Sequence, residues 1–263
     1  MDVVVGARSD VGRVRTQNED SFFAGRQIWA VADGMGGAAA GDVASSIVVD
    51  QLRIWDKVDA LTHDDLNQLV AGTNEAVLRY TRLNPGAAGM GSTVAGIASI
   101  EISGVRHWCV FNVGDSRVYH YVNGEMIRET VDHNEAEELI DAGQLDPADA
   151  AEHPGRFVLT RALGTNPAPR PDVFLLPQSP PETFLICSDG LTSEVSDDTF
   201  AAVLLNCPDP TQAANRLVDL ALMHGARDNV TVVIVAIQPS SDTDWLQTEA
   251  DETTIPRPDV QEN

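Results

Sequence analysis

Hydrophobic positions fall in short runs over most of the chain and in helical spacing over a few stretches. Ile28 to Ala32, Thr93 to Ile102, Val105 to Val113, Arg117 to Val122, Glu125 to Glu129, Val173 to Leu176, Thr183 to Cys187 and Val230 to Ile237 are apolar or β-branched runs bounded by turn residues, as strands are. A further strand is expected to begin at Val3 to Val5, with a loop from Arg8 to Gly12. Ser103-Gly104 and Asn123-Gly124 separate adjacent runs and signal hairpins, which predicts one antiparallel meander through the middle of the chain. Helical spacing covers Ala38 to Trp55 and Asp64 to Leu83, the second opened by a Thr62/Asp65 capping box and stopped at Asn84-Pro85-Gly86. Two more helices are predicted late, one from Ser196 to Leu205 and one from Asp209-Pro210 to His224 with Gly225 as its stop. Strands joined by hairpins with helices before and after do not suit a doubly wound parallel sheet. The fold class is therefore α+β, a layered sandwich.

Two segments depart from the pattern. Asp132 to Arg161 is polar, with a short helix from Asn134 to Ala142, and reads as a flap inserted between strands. His133 and His153 lie within it and are read as structural or solvated. From Pro239 to Asn263 apolar content drops and acids dominate, as in a disordered tail. Domain organisation is thus one folded unit over residues 1–238 and an acidic tail over 239–263, whose threonines Thr248, Thr253 and Thr254 are candidates for phosphorylation and capture by a phosphothreonine-reading partner.

Charge narrows the functional classes. The net charge of −23 argues against a nucleic-acid or anionic-membrane surface. Cys109, Cys187 and Cys207 have no metal-ligand spacing and read as free thiols in a reducing compartment. With neither a signal peptide nor a spanning apolar run, a cytoplasmic location is expected.

Candidate chemistry lies at the ends of the apolar runs. Ile28 to Ala32 leads into Asp33-Gly34, Val113 into Gly114-Asp115, Cys187 into Ser188-Asp189-Gly190, and Asp228-Asn229 precedes Val230. Any one of these is an ordinary turn dipeptide. Four together, with Glu19-Asp20 upstream of the first, point to a shared acidic site. Carboxylate at the end of a buried strand needs a partner, and no nearby base balances Glu19, Asp20 and Asp33. All-oxygen donors suit Mg²⁺, Mn²⁺ or Ca²⁺, and several acids could hold two ions with a water between them. Arg15 adds a planar fork able to hold phosphate oxygens, although a surface Arg balancing nearby acids is the simpler reading of that residue alone. Without a Ser/His/Asp or reactive-Cys arrangement, phosphate-ester hydrolysis by metal-activated water is the natural chemistry. Gly34 would let its carbonyl approach an ion closely. His107 and His120 are read as sheet residues, not ligands.

These motifs, in this order, resemble the metal-dependent protein phosphatases of the PP2C (PPM) family, in particular its stand-alone bacterial members. The resemblance covers roughly residues 3–238 and rests on Arg15 with Asn18-Glu19-Asp20, Val31-Ala32-Asp33-Gly34-Met35-Gly36-Gly37, Gly89-Met90-Gly91-Ser92-Thr93, Val113-Gly114-Asp115-Ser116-Arg117, Cys187-Ser188-Asp189-Gly190-Leu191 and Asp228-Asn229-Val230-Thr231. It implies a four-layer αββα sandwich and hydrolysis of phosphoserine and phosphothreonine in proteins, reversing Ser/Thr kinase signalling. By position it implies that Asp33 bridges two Mn²⁺ or Mg²⁺ ions, that the Gly34 carbonyl binds one, and that Asp189 and Asp228 complete the other. Glu19 and Asp20 would hold metal-bound waters, Asp115 with Asp189 a third ion, and Arg15 the substrate phosphate. Many eukaryotic members carry His where this chain has Met35, so the resemblance assigns no general acid here. Expected partners are phosphorylated proteins, Ser/Thr kinases among them, and a monomer is expected. Two alternatives are a non-catalytic phosphoprotein-binding module and a phosphatase of a sigma-factor regulator.

Overall fold

The computed structural model describes residues 2–36 and 40–239; the predicted acidic tail beyond Pro239, with its threonines, lies outside the described residues. Two antiparallel sheets pack face to face. The first contains β1 (Asp2–Asp10), β7 (Arg117–Val122), β8 (Glu125–Arg128), β10 (Glu182–Cys187) and β11 (Val230–Gln238), in the order β1-β11-β10-β7-β8. The second contains β2 (Asp20–Ala24), β3 (Ile28–Met35), β5 (Val94–Ile102), β6 (Val105–Val113) and β9 (Asp172–Pro177), in the order β2-β3-β5-β6-β9, and the short β4 (Gly91–Ser92) pairs with β3. Helices α1 (Gly41–Trp55) and α2 (His63–Leu83) cover the second sheet, while α5 (Asp197–Asn206) and α6 (Pro210–His224) cover the first. This is the four-layer αββα sandwich. Short helices α3 (Glu135–Asp141) and α4 (Asp189–Thr192) complete the set.

Four layers need three apolar seams. Val48 and Leu52 of α1 and Leu66 and Leu69 of α2 pack on Ala30, Phe111 and Val113 of the second sheet. Phe200, Leu217 and Val218 pack on Leu185, Val232 and Ile234 of the first. Between the sheets lie Val31, Ile97, Val110, Val118, Ile186 and Val233, with Trp108 edge-on to both Trp29 and Phe184. Strands buried on both faces explain the continuous apolar runs, such as the β11 residues 230–237, which are buried throughout.

The local signals are realised in detail. Thr62 Oγ1 accepts from Asp65 N at 3.3 Å while Asp65 Oδ2 accepts from Thr62 N at 2.8 Å, closing the capping box. Both hairpin turns, Ser103-Gly104 and Asn123-Gly124, have positive φ at both residues, as a type I′ turn requires. Asp209 caps α6 by accepting from Gln212 N at 2.9 Å, and Gly225 ends it.

Three expectations are corrected. β1 runs to Asp10, through the expected Arg8–Gly12 loop, because it pairs with the whole of β11. β2, from Asp20 to Ala24, was not foreseen as a strand; it forms a hairpin with β3 despite the polar start. The expected single meander is split: β5 and β6 lie in one sheet and β7 and β8 in the other. The chain changes sheet through Gly114-Asp115-Ser116.

His120 is a structural residue of the first sheet. Its Nε2 lies 2.9 Å from Glu182 Oε2, its Nδ1 3.4 Å from Glu129 Oε1, and its ring stacks on Phe184. Trp108 Nε1 donates to Glu182 Oε1 at 2.8 Å. Burial opposes charge on His120, but the bonds to Glu129 and Glu182 outweigh it and raise the imidazole to about 8. A His raised on folding stabilises fully below its unfolded value near 6.5 and loses that contribution as pH climbs through about 8. Denaturant titrations of the native chain should therefore lose on the order of 1–2 kcal/mol between these limits relative to a His120→Gln variant, whose curve should be flatter. Parallel curves would show that His120 is not charged in the fold.

Candidate functional site

Strand ends deliver the acids to one edge of the sandwich. β3 carries Asp33, the β6–β7 connection Asp115, Asp189 follows β10 by way of Ser188 and opens α4, and Asp228 stands before β11. Asp20 opens β2 and is the cross-strand neighbour of Asp33. Like charges so placed repel each other. The structure brings Arg15, Glu19, Asp33, Gly34, Asp115, Asp189 and Asp228 together in the wall of one cleft of about 770 Å³. Asp20 lies buried beneath it. The flap supplies the opposite wall through Phe157, Val158 and Arg161, with Phe157 and Val158 presenting exposed apolar surface.

Electrostatics make these acids one unit. Burial, then the charges of Asp20, Asp189, Asp115 and Asp228, hold the Asp33 carboxyl well above the usual carboxylate range. Burial raises Asp20 to about 7 against the opposing hydrogen bond from Ser188, with Asp189 and Asp228 adding to the rise. Asp115 is pushed up to about 8 by burial and by Asp189. Asp189 is raised by burial and by Asp228, and lies within hydrogen-bond reach of Asp33. The fold therefore gathers carboxyls whose charged forms it does not itself balance, so that without a cation they are driven towards protonation.

A scaffold of hydroxyls and one amide fixes this edge. Thr93 Oγ1 accepts from Asp33 N at 2.9 Å and lies 2.8 Å from Ser116 Oγ, tying the Asp33 strand to the Asp115 turn. Ser188 Oγ donates to Asp20 Oδ2 at 2.7 Å and accepts from Thr231 N at 3.0 Å, joining both sheets. Asn229 accepts from Glu19 N at 2.8 Å and donates to Val11 O at 2.9 Å and Gln17 O at 3.0 Å, so it pins the loop that carries Arg15. Gly114 exchanges two bonds with His133: its N donates to Nδ1 at 3.0 Å and its O accepts from His133 N at 3.0 Å. His133 Nε2 faces Asp172 Oδ2 at 3.0 Å, so this His anchors the Asp115 turn from the flap and is structural, as expected. Asp132 next to it is clamped by Arg117 and Arg128. Thr93, Ser116, Ser188 and Asn229 all belong to the quoted motifs. Their anchoring roles were missed, because a hydroxyl in a turn gives no sign of which distant backbone it will hold.

Hard-cation ligation fits this donor set. One carboxylate oxygen of Asp20, Oδ1, is buried without a hydrogen-bond partner. The Glu19 carboxylate and the Gly34 carbonyl converge on the bare α-carbon of Gly41, where a Cβ would come within 2.6 Å of Glu19 Oε1 and 2.8 Å of Gly34 O. Two oxygens thus share a cradle that a side chain would fill. Among the described residues no three His, Cys, Asp or Glu side chains form a closed metal cage; the oxygens line a common open wall. Arg15 stands at the rim, where Nη2 donates to Asp228 Oδ2 at 2.6 Å.

Comparison with known proteins settles the family. The profile described as "Protein phosphatase 2C" matches residues 13–221. The chain belongs to the protein phosphatase 2C family. It is 39% identical over 246 residues to the serine/threonine protein phosphatase PstP of Mycobacterium tuberculosis, covering 92% of this chain and 46% of that protein. It is 34% identical over 239 residues to the serine/threonine phosphatase stp of Listeria monocytogenes, covering 87% of this chain and 93% of that one. The chain thus spans about half the length of the curated mycobacterial relative. The crystal structure of M. tuberculosis PstP/Ppp superposes with a TM-score of 0.83 at 36% identity, covering 90% of this chain and 99% of that one. A structure of the PstP catalytic domain in complex with two manganese ions superposes with a TM-score of 0.80 at 35% identity, covering 90% and 99%. The αββα sandwich is therefore that of bacterial family members. Among the described residues no helix is long and apolar enough to cross a membrane.

Proposed function

We propose that this chain hydrolyses phosphoserine and phosphothreonine in proteins with the help of two Mn²⁺ or Mg²⁺ ions. The observation that carries this reading is the convergence of Asp20, Asp33, Asp115, Asp189 and Asp228 on one edge, with burial and mutual repulsion raising Asp20, Asp33, Asp115 and Asp189 above ordinary carboxylates. Family membership and the two manganese ions in a PstP structure support it. Asp33 would be shared by both ions, the Gly34 carbonyl would serve one, and Asp189 and Asp228 the other. Asp115 with Asp189 would take a third, and Glu19 and Asp20 would act through water. When bound, such ions activate water as a nucleophile and neutralise phosphoryl oxygens. The protein's own contribution is placement. Arg15 grips the phosphate, and Phe157 and Val158 give the flanking residues an apolar wall. Among the described residues no His lines the cleft, so the departing serine or threonine oxygen draws its proton from water. Every acid that a non-catalytic binding module could discard is retained.

Substrates on this reading are phosphorylated proteins, including Ser/Thr kinases. Three unpaired cysteines, with the Cys109 thiol pushed up to about 12 by burial, suit a protein of the reducing cytoplasm; on this reading the chain acts as a monomer. The deciding experiment is phosphate release from a phosphothreonine peptide, expected with Mn²⁺ or Mg²⁺, abolished by chelation and restored by readdition. Tight peptide binding without release would identify a module instead of an enzyme. Arg15→Ala should lower kcat/KM about 10- to 100-fold, mostly through KM, because one charge-assisted contact to phosphate is lost. An unchanged KM would remove Arg15 from the substrate site.

A further inference from the structure

We propose that the proline-rich segment between Thr165 and Asp172 is the part of the substrate site that reads sequence: a groove for the chain flanking the phosphorylated residue, selective for an aspartate or glutamate there. It rests on the phosphatase reading above. Thr160, Arg161 and Thr165 line the acidic cleft and also a second hollow of about 600 Å³, so the two adjoin along these residues. Pro167 and Arg170 line the hollow as well, and so does Asp172, the first residue of β9. A peptide whose phosphate sits in the cleft has to leave it along one of its walls, and this wall continues into a groove.

The wall is stiff and anchored at both ends. Residues 165–171 read Thr-Asn-Pro-Ala-Pro-Arg-Pro, with proline at every second position from 167. Each proline fixes its own φ and disfavours helix in the residue before it, so the segment stays extended. At its start it is held by Asn74, a buried amide on the otherwise mostly apolar inner face of α2. Asn74 Oδ1 accepts from Gly164 N at 2.7 Å and from Thr165 N at 3.2 Å, and Nδ2 donates to Thr165 O at 3.1 Å. Leu163, just before, donates from N to Ser92 O at 2.8 Å and accepts at O from Ser92 N at 3.1 Å, while Ser92 Oγ donates to Asp33 O at 3.1 Å. The groove is thereby set in register with the strand end that carries Asp33. At its other end Asp172 accepts from Arg161 Nη1 at 2.7 Å and faces His133 Nε2 at 3.0 Å. Fixing of this kind removes the ordering cost that a loose loop would add to binding.

Charge gives the groove its preference. Its lining carries two guanidinium groups, Arg161 and Arg170, and one carboxylate, Asp172. Asp172 is already engaged by Arg161 and His133. Arg170 is exposed, and among the described residues its guanidinium has no hydrogen-bond or ion-pair partner. A chain of net charge −23 repels acidic partners over most of its surface, so a cationic groove beside the cleft decides where such a partner can lie. An acidic side chain meets an unengaged cation there. A basic one meets Arg170 and finds the only carboxylate of the groove occupied.

The test uses the full chain with Mn²⁺ and phosphothreonine peptides in which one glutamate, glutamine or lysine is moved through each flanking position in turn. p-Nitrophenyl phosphate, which has no flanking chain, reports the chemistry alone. Glutamate should raise kcat/KM over glutamine about three- to fivefold, through KM, at positions on one side of the phosphothreonine only, and the gain should fade at high salt. Lysine at those positions should lower it. Arg170→Gln should abolish the preference and Arg170→Glu should turn it towards lysine, a reversal that a merely structural Arg170 would not give. Failure to hydrolyse p-nitrophenyl phosphate overturns the phosphatase reading and the groove with it. The groove alone is overturned if that ester is hydrolysed while the three peptides are turned over equally, or if the glutamate preference survives both Arg170 substitutions. A dimer in sedimentation that R170E dissolves overturns it too, since a second copy of the chain would then occupy this face.

Discussion

Replacing Asp33 by asparagine is expected to lower kcat/KM on a phosphothreonine peptide by at least about a thousandfold, some 4 kcal/mol of transition-state stabilisation, and at the same time to make the metal-free protein harder to unfold. The two effects share a cause. Asp33 sits directly across from Asp20, and Asp189, Asp115 and Asp228 add to the charge around it. A carboxylate there is useful only when cations balance it, and without them it is a repulsive load on the fold. Asparagine keeps the shape and removes the load, and its neutral amide is a poor substitute as a shared metal ligand. Activity assays and denaturant titrations in chelator measure the two halves. A D33N protein that is inactive and also less stable would mean that Asp33 holds the fold together, which would sink the proposed division of labour.

The second large effect is expected from Gly34→Ala. A Cβ on Gly34 would lie 2.0 Å from Gly41 O and 2.6 Å from Glu19 O, both backbone atoms. Neither can step aside cheaply. Gly41 begins α1, and Glu19 O already accepts from Gly34 N at 3.1 Å and from Ser45 Oγ at 2.6 Å. Overpacking of this kind costs about 1–3 kcal/mol or more, which for a domain of this size lowers Tm by about 5–10 °C, and the loop carrying Glu19 should be displaced with it. Gly72→Ala in α2 is the control: a Cβ there meets nothing, so it should be neutral or raise stability by up to about 1 kcal/mol. Equal Tm values for the two variants would show that the Glu19–Gly34–Gly41 contact is loose.

Most of the acidic edge was legible because it is written locally. Each aspartate follows or precedes an apolar run, so its place at a strand end follows from the strand itself, and recurrence suggested that the ends meet. The helix boundaries were legible for the same reason, since Thr62, Asp209 and Gly225 act within a turn of their own position. Sheet membership was not. The hairpin turns at Ser103-Gly104 and Asn123-Gly124 fix which neighbours pair, but nothing local says that Gly114-Asp115-Ser116 carries the chain from one sheet to the other. That depends on which faces the helices cover. β2 was overlooked because its alternation is brief and starts on Asp20, whose polarity serves the site and not the strand. The role of Asn74 was beyond reach for a related reason: which backbone a buried amide holds depends on residues such as Gly164 and Thr165, far along the chain.

The crossing at Asp115 has a mechanical consequence. Asp33 rides on one sheet and Asp189 and Asp228 on the other, while the loops with Arg15 and Asp115 span the seam at this edge. Away from this edge the sheets meet mostly through apolar side chains, with the Trp108–Glu182 hydrogen bond as a polar tie between them. A divalent ion shared by Asp33 and Asp189 would rivet the two slabs at one end. Any force or bound partner that shears one sheet past the other would then act on the rivet first, changing turnover before it loosened the core.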